Sequence, residues 1–264
     1  QNQNNKEIRT MSKAQVTTKK ENALATNMFE ADAGQGIGNL TQEDLALPFL
    51  KILGQLSPEV NKRDGKYVEG AEPGMIYNSV TSELFDGQKG LNVIPCHYKL
   101  EYIEWRDRGV GPGAPVQIHP SSSDILSQTT RGADFKDRLQ SGNYIEKTAS
   151  HFVITMGETP STALIAMKST QLKISRKWNT MINQIKFKGS NGLFTPASFS
   201  HIYNLKTVQQ SNDKGTWFGW EISKVGQVQD EATYQQAKSF SESVSKGDVA
   251  VKHGETSEKS NSPI

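Results

Sequence analysis

The chain has 264 residues, a formal net charge of +2, 34% hydrophobic residues and a single cysteine. This length allows one substantial core, and one cysteine excludes both an internal disulfide and a multi-cysteine zinc site. Such cysteine usage is typical of a reducing compartment. The sequence has no apolar run of the roughly 18 residues that a membrane helix needs and no signal-peptide pattern, so we expect a protein of the cytoplasm.

The two ends of the chain are its most polar parts. Residues 1–40 and 246–264 contain few large apolar side chains, so burying them would not offset the entropy lost on ordering. We therefore predict two flexible tails and one folded domain over residues 41–245. Met11 begins a segment that resembles an ordinary translation start, which suggests that residues 1–10 are an upstream extension.

The periodicity of apolar residues predicts the elements of the folded domain. The apolar stretch 45–56 fits a helix or a strand, and residues 75–80 predict a strand. Residues 171–185 have helical spacing with Trp178 on the apolar face, and residues 229–245 predict a terminal helix. Alternation and turn residues predict five further strands at 94–103, 151–157, 161–168, 199–210 and 215–225.

The order of these elements predicts a mainly β fold with some α structure. A strand, a hairpin, a helix and a second hairpin would suit a five-stranded OB-fold-like barrel with its helix between strands three and four. Residues 108–150 then form an insertion after the first strand. Its glycine, proline and serine content predicts a mobile loop that closes over a bound strand. Cys96 falls on the buried face of the first strand.

The two signs of charge are separated along the chain. Residues 159–212 contain no aspartate or glutamate and sum to +7, whereas residues 1–158 sum to −3. A basic central segment with mildly acidic flanks is expected where one face meets a polyanion. The alternative is a solvated basic face without a partner.

Aromatic residues lie beside basic residues at two places, which is the combination that holds single-stranded nucleic acid. Trp105 ends the first long strand, and Trp217 lies on the last hairpin, where alternation assigns Phe218, Trp220 and Ile222 to the core. Either tryptophan taken singly could equally be a packing residue. We predict that Trp105 and Trp217 stack on bases. The predicted phosphate contacts are Lys99, Arg106, Arg108, Lys168, Arg176, Lys177 and Lys206.

The sequence predicts no enzyme, no metal site and no cofactor. Its five histidines lack ligand spacing, and the glycines of residues 34–38 neither follow a strand nor precede the Lys-Ser/Thr of a phosphate loop. A nuclease metal could be imagined at Glu101, Glu104 and Asp107. Alternation places Glu104 on the opposite face of the strand from the other two, so we do not predict a nuclease site there.

Four blocks of sequence carry a family resemblance: LALPFLKILGQLSPEVNKRDGKYVEGAEPGMIYN (45–78), GLNVIPCHYKLEYIEWRDR (90–108), QLKISRKWNTM (171–181) and SNDKGTWFGWEI (211–222). Through them the chain resembles a group of phage single-stranded DNA-binding proteins over roughly residues 40–255. The resemblance implies an OB-fold and sequence-independent coating of DNA strands in phage replication or recombination. It also implies action in the host cytoplasm and a C-terminal tail that contacts phage replication proteins.

The last residues of the tail, Pro263 and Ile264, form an apolar tip that we predict to bind a partner. Residues 246–264 carry three acids and three lysines, so electrostatic competition between tail and DNA is not predicted. Two other functions stay open: a strand-annealing recombination protein, and a virion or assembly protein whose barrel serves protein contacts. The sequence is compatible with a homo-oligomer and does not distinguish DNA from RNA.

Overall fold

The computed structural model describes residues 29–40, 44–157, 159–213 and 215–253. The chain divides into two compact units, residues 1–45 and 46–264. In the first unit, residues 29–31 are helical and residues 32–39 form turns. The predicted partner-binding residues Pro263 and Ile264 lie outside the described residues.

The described part of the second unit is mainly β structure. Its strands are β1 (Leu50–Ile52), β2 (Ile76–Asn78), β3 (Leu84–Phe85), β4 (Leu91–Trp105), β5 (Gln117–Pro120), β6 (Thr130–Arg131), β7 (Asp137–Arg138), β8 (Tyr144–Thr155), β9 (Ser161–Lys168), β10 (Phe187–Gly189), β11 (Gly192–Phe194), β12 (His201–Asn212) and β13 (Gly215–Gln227). Its α-helices are α1 (Leu172–Asn183) and α2 (Glu231–Lys246).

The main sheet is antiparallel and curls into a half-barrel. Its strands follow the order β13-β12-β4-β8-β7-β6, with β5 also paired to β4 and β9 to β8. The five long strands predicted from periodicity are confirmed as β4, β8, β9, β12 and β13, and α1 lies between β9 and β12 in the chain. The sheet has eight strands because the insertion adds three short ones.

The insertion contains more regular structure than its composition predicts. It supplies β5, β6 and β7, and β8 already begins at Tyr144 instead of 151. Ile125 of the insertion packs with Tyr102 and Ile145 in a small separate core. On the surface, the Arg138 guanidinium donates hydrogen bonds to Asp107 at 2.9 Å and to Asp134 at 2.6 Å. Apolar contacts and ion pairs therefore hold a segment that we expected to be a mobile loop.

A small sheet, β1-β2-β3, contacts the main sheet at both β9 and β12. Phe49, just before β1, forms a parallel bridge with Leu164, so the apolar stretch 45–56 contains a short strand, Leu50–Ile52, and no helix. On the other side, the Thr207 hydroxyl donates to the Gly74 carbonyl, and the Thr207 N–H donates to the Gly87 carbonyl at 2.8 Å. A Cβ at Gly87 would lie 2.0 Å from the Gly74 oxygen, so only glycine fits there.

The largest core cluster lies between the main sheet, the small sheet and α1. Trp178 of α1 is fully buried in it, as the helical periodicity predicts. Trp220 and Ile222 of β13 are buried in the same cluster and Phe218 packs against it, so the predicted inward face of this strand is confirmed. This cluster fixes α1 and the second hairpin relative to the sheet.

Helix α2 covers a second core cluster. Its Phe240 packs with Cys96 and Phe152 of the sheet, and burial raises the pKa of the Cys96 thiol to about 12. Val249 and Val251 pack on the same cluster, so the chain continues as folded structure beyond the boundary predicted at residue 246. Two apolar side chains are too few to distinguish residues 246–264 from a flexible tail by composition. Neither α1 nor α2 is long and apolar enough to cross a membrane.

Candidate functional site

A cavity of about 750 Å³, here called the groove, opens beside the small sheet. Its walls come from β1 and the turn after it, the end of β4, the start of β8, the end of β9, the start of β13 and residues 252–253. The fold thereby brings together Trp105, Lys168 and Trp217, three of the predicted site residues that are far apart in the sequence.

Aromatic side chains form much of the groove wall. Trp217 and Phe218 are half-buried at the start of β13, and Tyr67 is half-buried in the turn after β1. Trp105 also lines the groove but is only 5% exposed. Trp217 and Tyr67 therefore present ring surface on which a base can stack, whereas Trp105 is mainly a packed part of the wall.

Some lysines of the groove are paired with carboxylates of the described residues and others are not. Lys51 donates to the Glu59 carboxylate at 2.7 Å, and Lys168 donates to the Glu146 carboxylate at 2.9 Å. Two further lysines, Lys66 and Lys252, line the groove, are exposed and form no ion pair with any described residue. The net positive charge of the groove is therefore carried by Lys66 and Lys252, while the predicted phosphate contact Lys168 is already neutralised.

Three buried polar atoms of groove residues have no hydrogen-bond partner among the described residues: the indole nitrogens of Trp105 and Trp217 and the Oε2 of Glu59. Leaving such an atom unpaired costs about 1–3 kcal/mol. These three atoms are buried within the groove walls and are not open to a ligand in the cavity.

His253 is part of the groove wall. Its side chain is 6% exposed and its ring lies 5.7 Å from that of Phe49. Burial and the nearby Lys168 lower its pKa to about 4. The Glu101 carboxylate, 4.0 Å from Nε2, is too distant to offset this burial. His253 is therefore neutral at pH 7 and adds a ring, not a charge.

The other predicted phosphate contacts lie outside the groove. Lys99 is half-buried with its ammonium 5.6 Å from the Phe152 ring centre. The remaining five are exposed on the surface: Arg106, Arg108, Arg176, Lys177 and Lys206. Of these, Arg106 and Arg108 follow Trp105 directly and so extend from the groove wall into the insertion.

Sequence reasoning missed four groove residues: Lys51, Tyr67, Lys66 and Lys252. Residues 61–66 read NKRDGK, a basic turn that was available as a signal. The distribution of charge along the sequence instead favoured residues 159–212, because that segment contains no acidic residue. Which lysines of other segments meet in one cavity depends on the fold. Lys252 gave no signal, since it belongs to a stretch whose composition resembles a tail.

Groups that might suggest catalysis have structural roles. His151 and Ser175 form a 2.8 Å hydrogen bond but are each 1% exposed, so no substrate reaches them. Glu104 accepts a hydrogen bond from Asn143 at 2.6 Å, and Asp107 is paired with Arg138. Within the described ranges, no cluster of three or more histidine, cysteine or acidic side chains is arranged to hold a metal ion.

Comparison with known proteins identifies one family. The model of the Pam3 phage gp34-like proteins matches residues 18–250, which covers nearly all of the chain. No curated protein and no solved structure matches it. The match spans the main sheet, both helices and nearly all of the groove residues. The chain therefore belongs to the Pam3 phage gp34-like protein family, a family of bacteriophage proteins.

Proposed function

We propose that this protein binds single-stranded DNA without sequence preference during phage replication or recombination in the host cytoplasm. The observation that carries the proposal is the groove, which combines exposed lysines with half-buried aromatic rings. Lys66 and Lys252 supply uncompensated positive charge, and Trp217 and Tyr67 supply ring surface. Proteins that hold single strands use this combination, because phosphates attract cations and every base has a face that stacks.

The position of the groove in the sheet supports an OB-fold reading of the half-barrel. In this reading, strands β4, β8, β9, β12 and β13 would be the five barrel strands in chain order, with α1 after the third. OB-folds bind oligonucleotides on strands two and three, between the loop after strand one and the loop before strand five. The groove contains residues of each region: Trp105 ends strand one, Glu146 and Lys168 lie on strands two and three, and Trp217 begins strand five.

The surface charge also supports the proposal. Arg106 and Arg108 continue from the groove wall, and Arg176 and Lys177 are exposed on α1. All of the segment 159–212 lacks acidic residues. Exposed cations on these elements would add attraction for a strand that continues beyond the groove.

Fluorescence anisotropy of a labelled oligothymidine, over a salt series and with duplex competitor, tests the proposal. We expect tight binding that duplex DNA competes for poorly and that weakens linearly on a logarithmic salt scale. Absence of binding at low salt would refute it and favour the virion or assembly role. If the protein binds, a strand-annealing assay with complementary oligonucleotides separates simple coating from annealing.

A further inference from the structure

The β10–β11 hairpin forms an arm that carries exposed apolar side chains. Leu193 is 74% exposed and Phe194 is 49% exposed, although both follow a tight turn and belong to a strand. Among the described strands, these two pair only with each other, in register Phe187 to Phe194 and Lys188 to Leu193. Apolar exposure concentrated on one arm marks a contact surface more often than scattered single residues do.

The arm is anchored firmly at its base. The Phe187 and Phe194 rings meet edge to face with centres 5.9 Å apart, and Phe187 also packs against His201 at 5.8 Å. The Lys186 ammonium donates to the Asn183 carbonyl at 3.0 Å and to the Thr195 hydroxyl. The hairpin is thus tied to the end of α1 and to the start of β12, with Phe194 on one face of the arm and Leu193 and Lys188 on the other.

The surroundings of the arm are cationic. A cleft of about 490 Å³ adjoins it and is lined by Lys186, Lys224, Phe187 and His201 among others, with no acidic residue in its wall. Lys188 is exposed on the arm itself. The whole segment 159–212 that contains the arm has no aspartate or glutamate. Charge complementarity therefore favours a polyanion over a protein as the occupant, because a protein partner does not require acids to be absent from so long a stretch.

We propose that the β10–β11 arm and its adjoining cleft form a second contact for the same DNA strand, separate from the groove. A base stacks on the Phe194 ring, while the strand passes around the arm to contact Leu193 and Lys188 on the other face of the hairpin. Phosphates lie near Lys188 and Lys224. This inference rests on the proposed function, since it assigns to the bound strand a longer path than the groove alone provides. A strand too short to reach the arm makes only the groove contact.

Oligothymidines of two lengths test the arm. One of about 8 nucleotides fits within the range of a single OB-fold site, and one of about 30 exceeds it. We expect the double variant Leu193→Ser/Phe194→Ser to bind the short strand as the wild type does and to bind the long strand about tenfold more weakly, as loss of one stacked base implies. Phe194→Trp should retain the long-strand affinity, since its ring still stacks. Lys188→Glu should reduce the salt dependence for the long strand only.

The outcomes separate the two proposals. If the wild type binds neither length, both the proposed function and the arm contact are refuted. If the wild type binds both lengths and the double variant matches it at both, the groove proposal survives and the arm contact is refuted, leaving the arm as a protein-docking surface. An equal loss at both lengths would also overturn the arm contact. Both substituted side chains are exposed, and circular dichroism shows whether the fold is retained.

Discussion

The Nε2 of His151 lies 2.8 Å from the Oγ of Ser175, inside the core cluster that joins α1 to the sheet. The imidazole is stacked on the Trp178 ring at 4.5 Å and also contacts the Tyr98 ring at 5.0 Å. Burial lowers its pKa to about 3. This histidine is therefore held neutral in the folded protein, and the hydrogen bond to Ser175 fixes its ring orientation.

Acid should destabilise the protein through His151. Its pKa is lowered on folding, so the unfolded chain binds the proton more tightly, and stability is fully present above about pH 6.5 and lost as the pH falls toward 3. Each pH unit within that window removes up to about 1.4 kcal/mol of unfolding free energy. Urea unfolding between pH 8 and pH 4 measures the slope. His151→Gln should be less stable at pH 8 but show a shallower slope, and an identical slope in the variant would contradict this.

Gly87→Ala should destabilise the fold. The added methyl would lie 2.0 Å from the Gly74 oxygen and 2.1 Å from the Thr207 hydroxyl, where the small sheet meets β12. Forcing these atoms apart should cost about 1–3 kcal/mol of unfolding free energy. Gly65→Ala is the matched control, because a Cβ there meets no atom within 4 Å. Equal denaturation midpoints for the two variants would show that the small sheet can move away from β12 without loss of stability.

Trp217→Ala should weaken binding of a short oligothymidine by about 1–3 kcal/mol, the contribution of one stacked base. Trp217→Phe should retain much of the affinity, because a phenyl ring still stacks while the indole N–H is lost. Anisotropy titrations of both variants measure the difference. Equal losses in the Ala and Phe variants would contradict stacking on the ring face of this residue.

Reversing the groove lysines should reduce both affinity and its salt dependence. Lys66→Glu and Lys252→Glu each remove an exposed cation from the groove, so the slope of log K against log salt should fall by about 0.7 for each lysine. Lys238→Glu, on the exposed face of α2 and outside the groove, makes the same charge change as a control. A control slope that falls as far as the other two would show that net charge alone is responsible.

Arg138 should control the titration of Asp107. Its hydrogen bond and charge, with help from Lys136, hold the pKa of that carboxyl below its ordinary value. In Arg138→Gln the pKa of Asp107 should therefore rise, as a carboxyl-carbon NMR titration would detect. We also expect faster amide hydrogen exchange in β7, since the same guanidinium links Asp107 at the end of β4 with Asp134 in the insertion. An unchanged Asp107 titration would contradict the role of this ion pair.

The long elements, whose apolar residues form a clear pattern, could be predicted from the sequence. The short strands could not. Strand β4 alternates over many residues, β9 is a continuous apolar run bounded by a turn, and α1 repeats its apolar residues at helical spacing around Trp178. By contrast, β6 and β7 have two residues each and exist because β7 pairs with β8. No local pattern encodes a strand whose hydrogen-bond partners come from another part of the chain.

The groove was predictable only in part for a similar reason. Trp105 and Trp217 could be selected because aromatic and basic residues adjoin them in sequence. Lys51 and Lys252 join the groove from opposite ends of the folded domain, and a pairing between such distant segments depends on the packed fold. The burial of Trp105 could not be predicted either. Alternation along a β-strand predicts which face a side chain is on, but not whether other parts of the chain pack over that face.

The burial of Cys96 has a practical consequence for measuring the DNA path. It is the chain's one cysteine, and the raised pKa of its thiol keeps the reactive thiolate scarce. A second cysteine placed at the exposed tip, as in Leu193→Cys, would be the one readily alkylated position. A fluorophore attached there, paired with a dye on the end of an oligonucleotide, would report by energy transfer how far the strand travels from the groove.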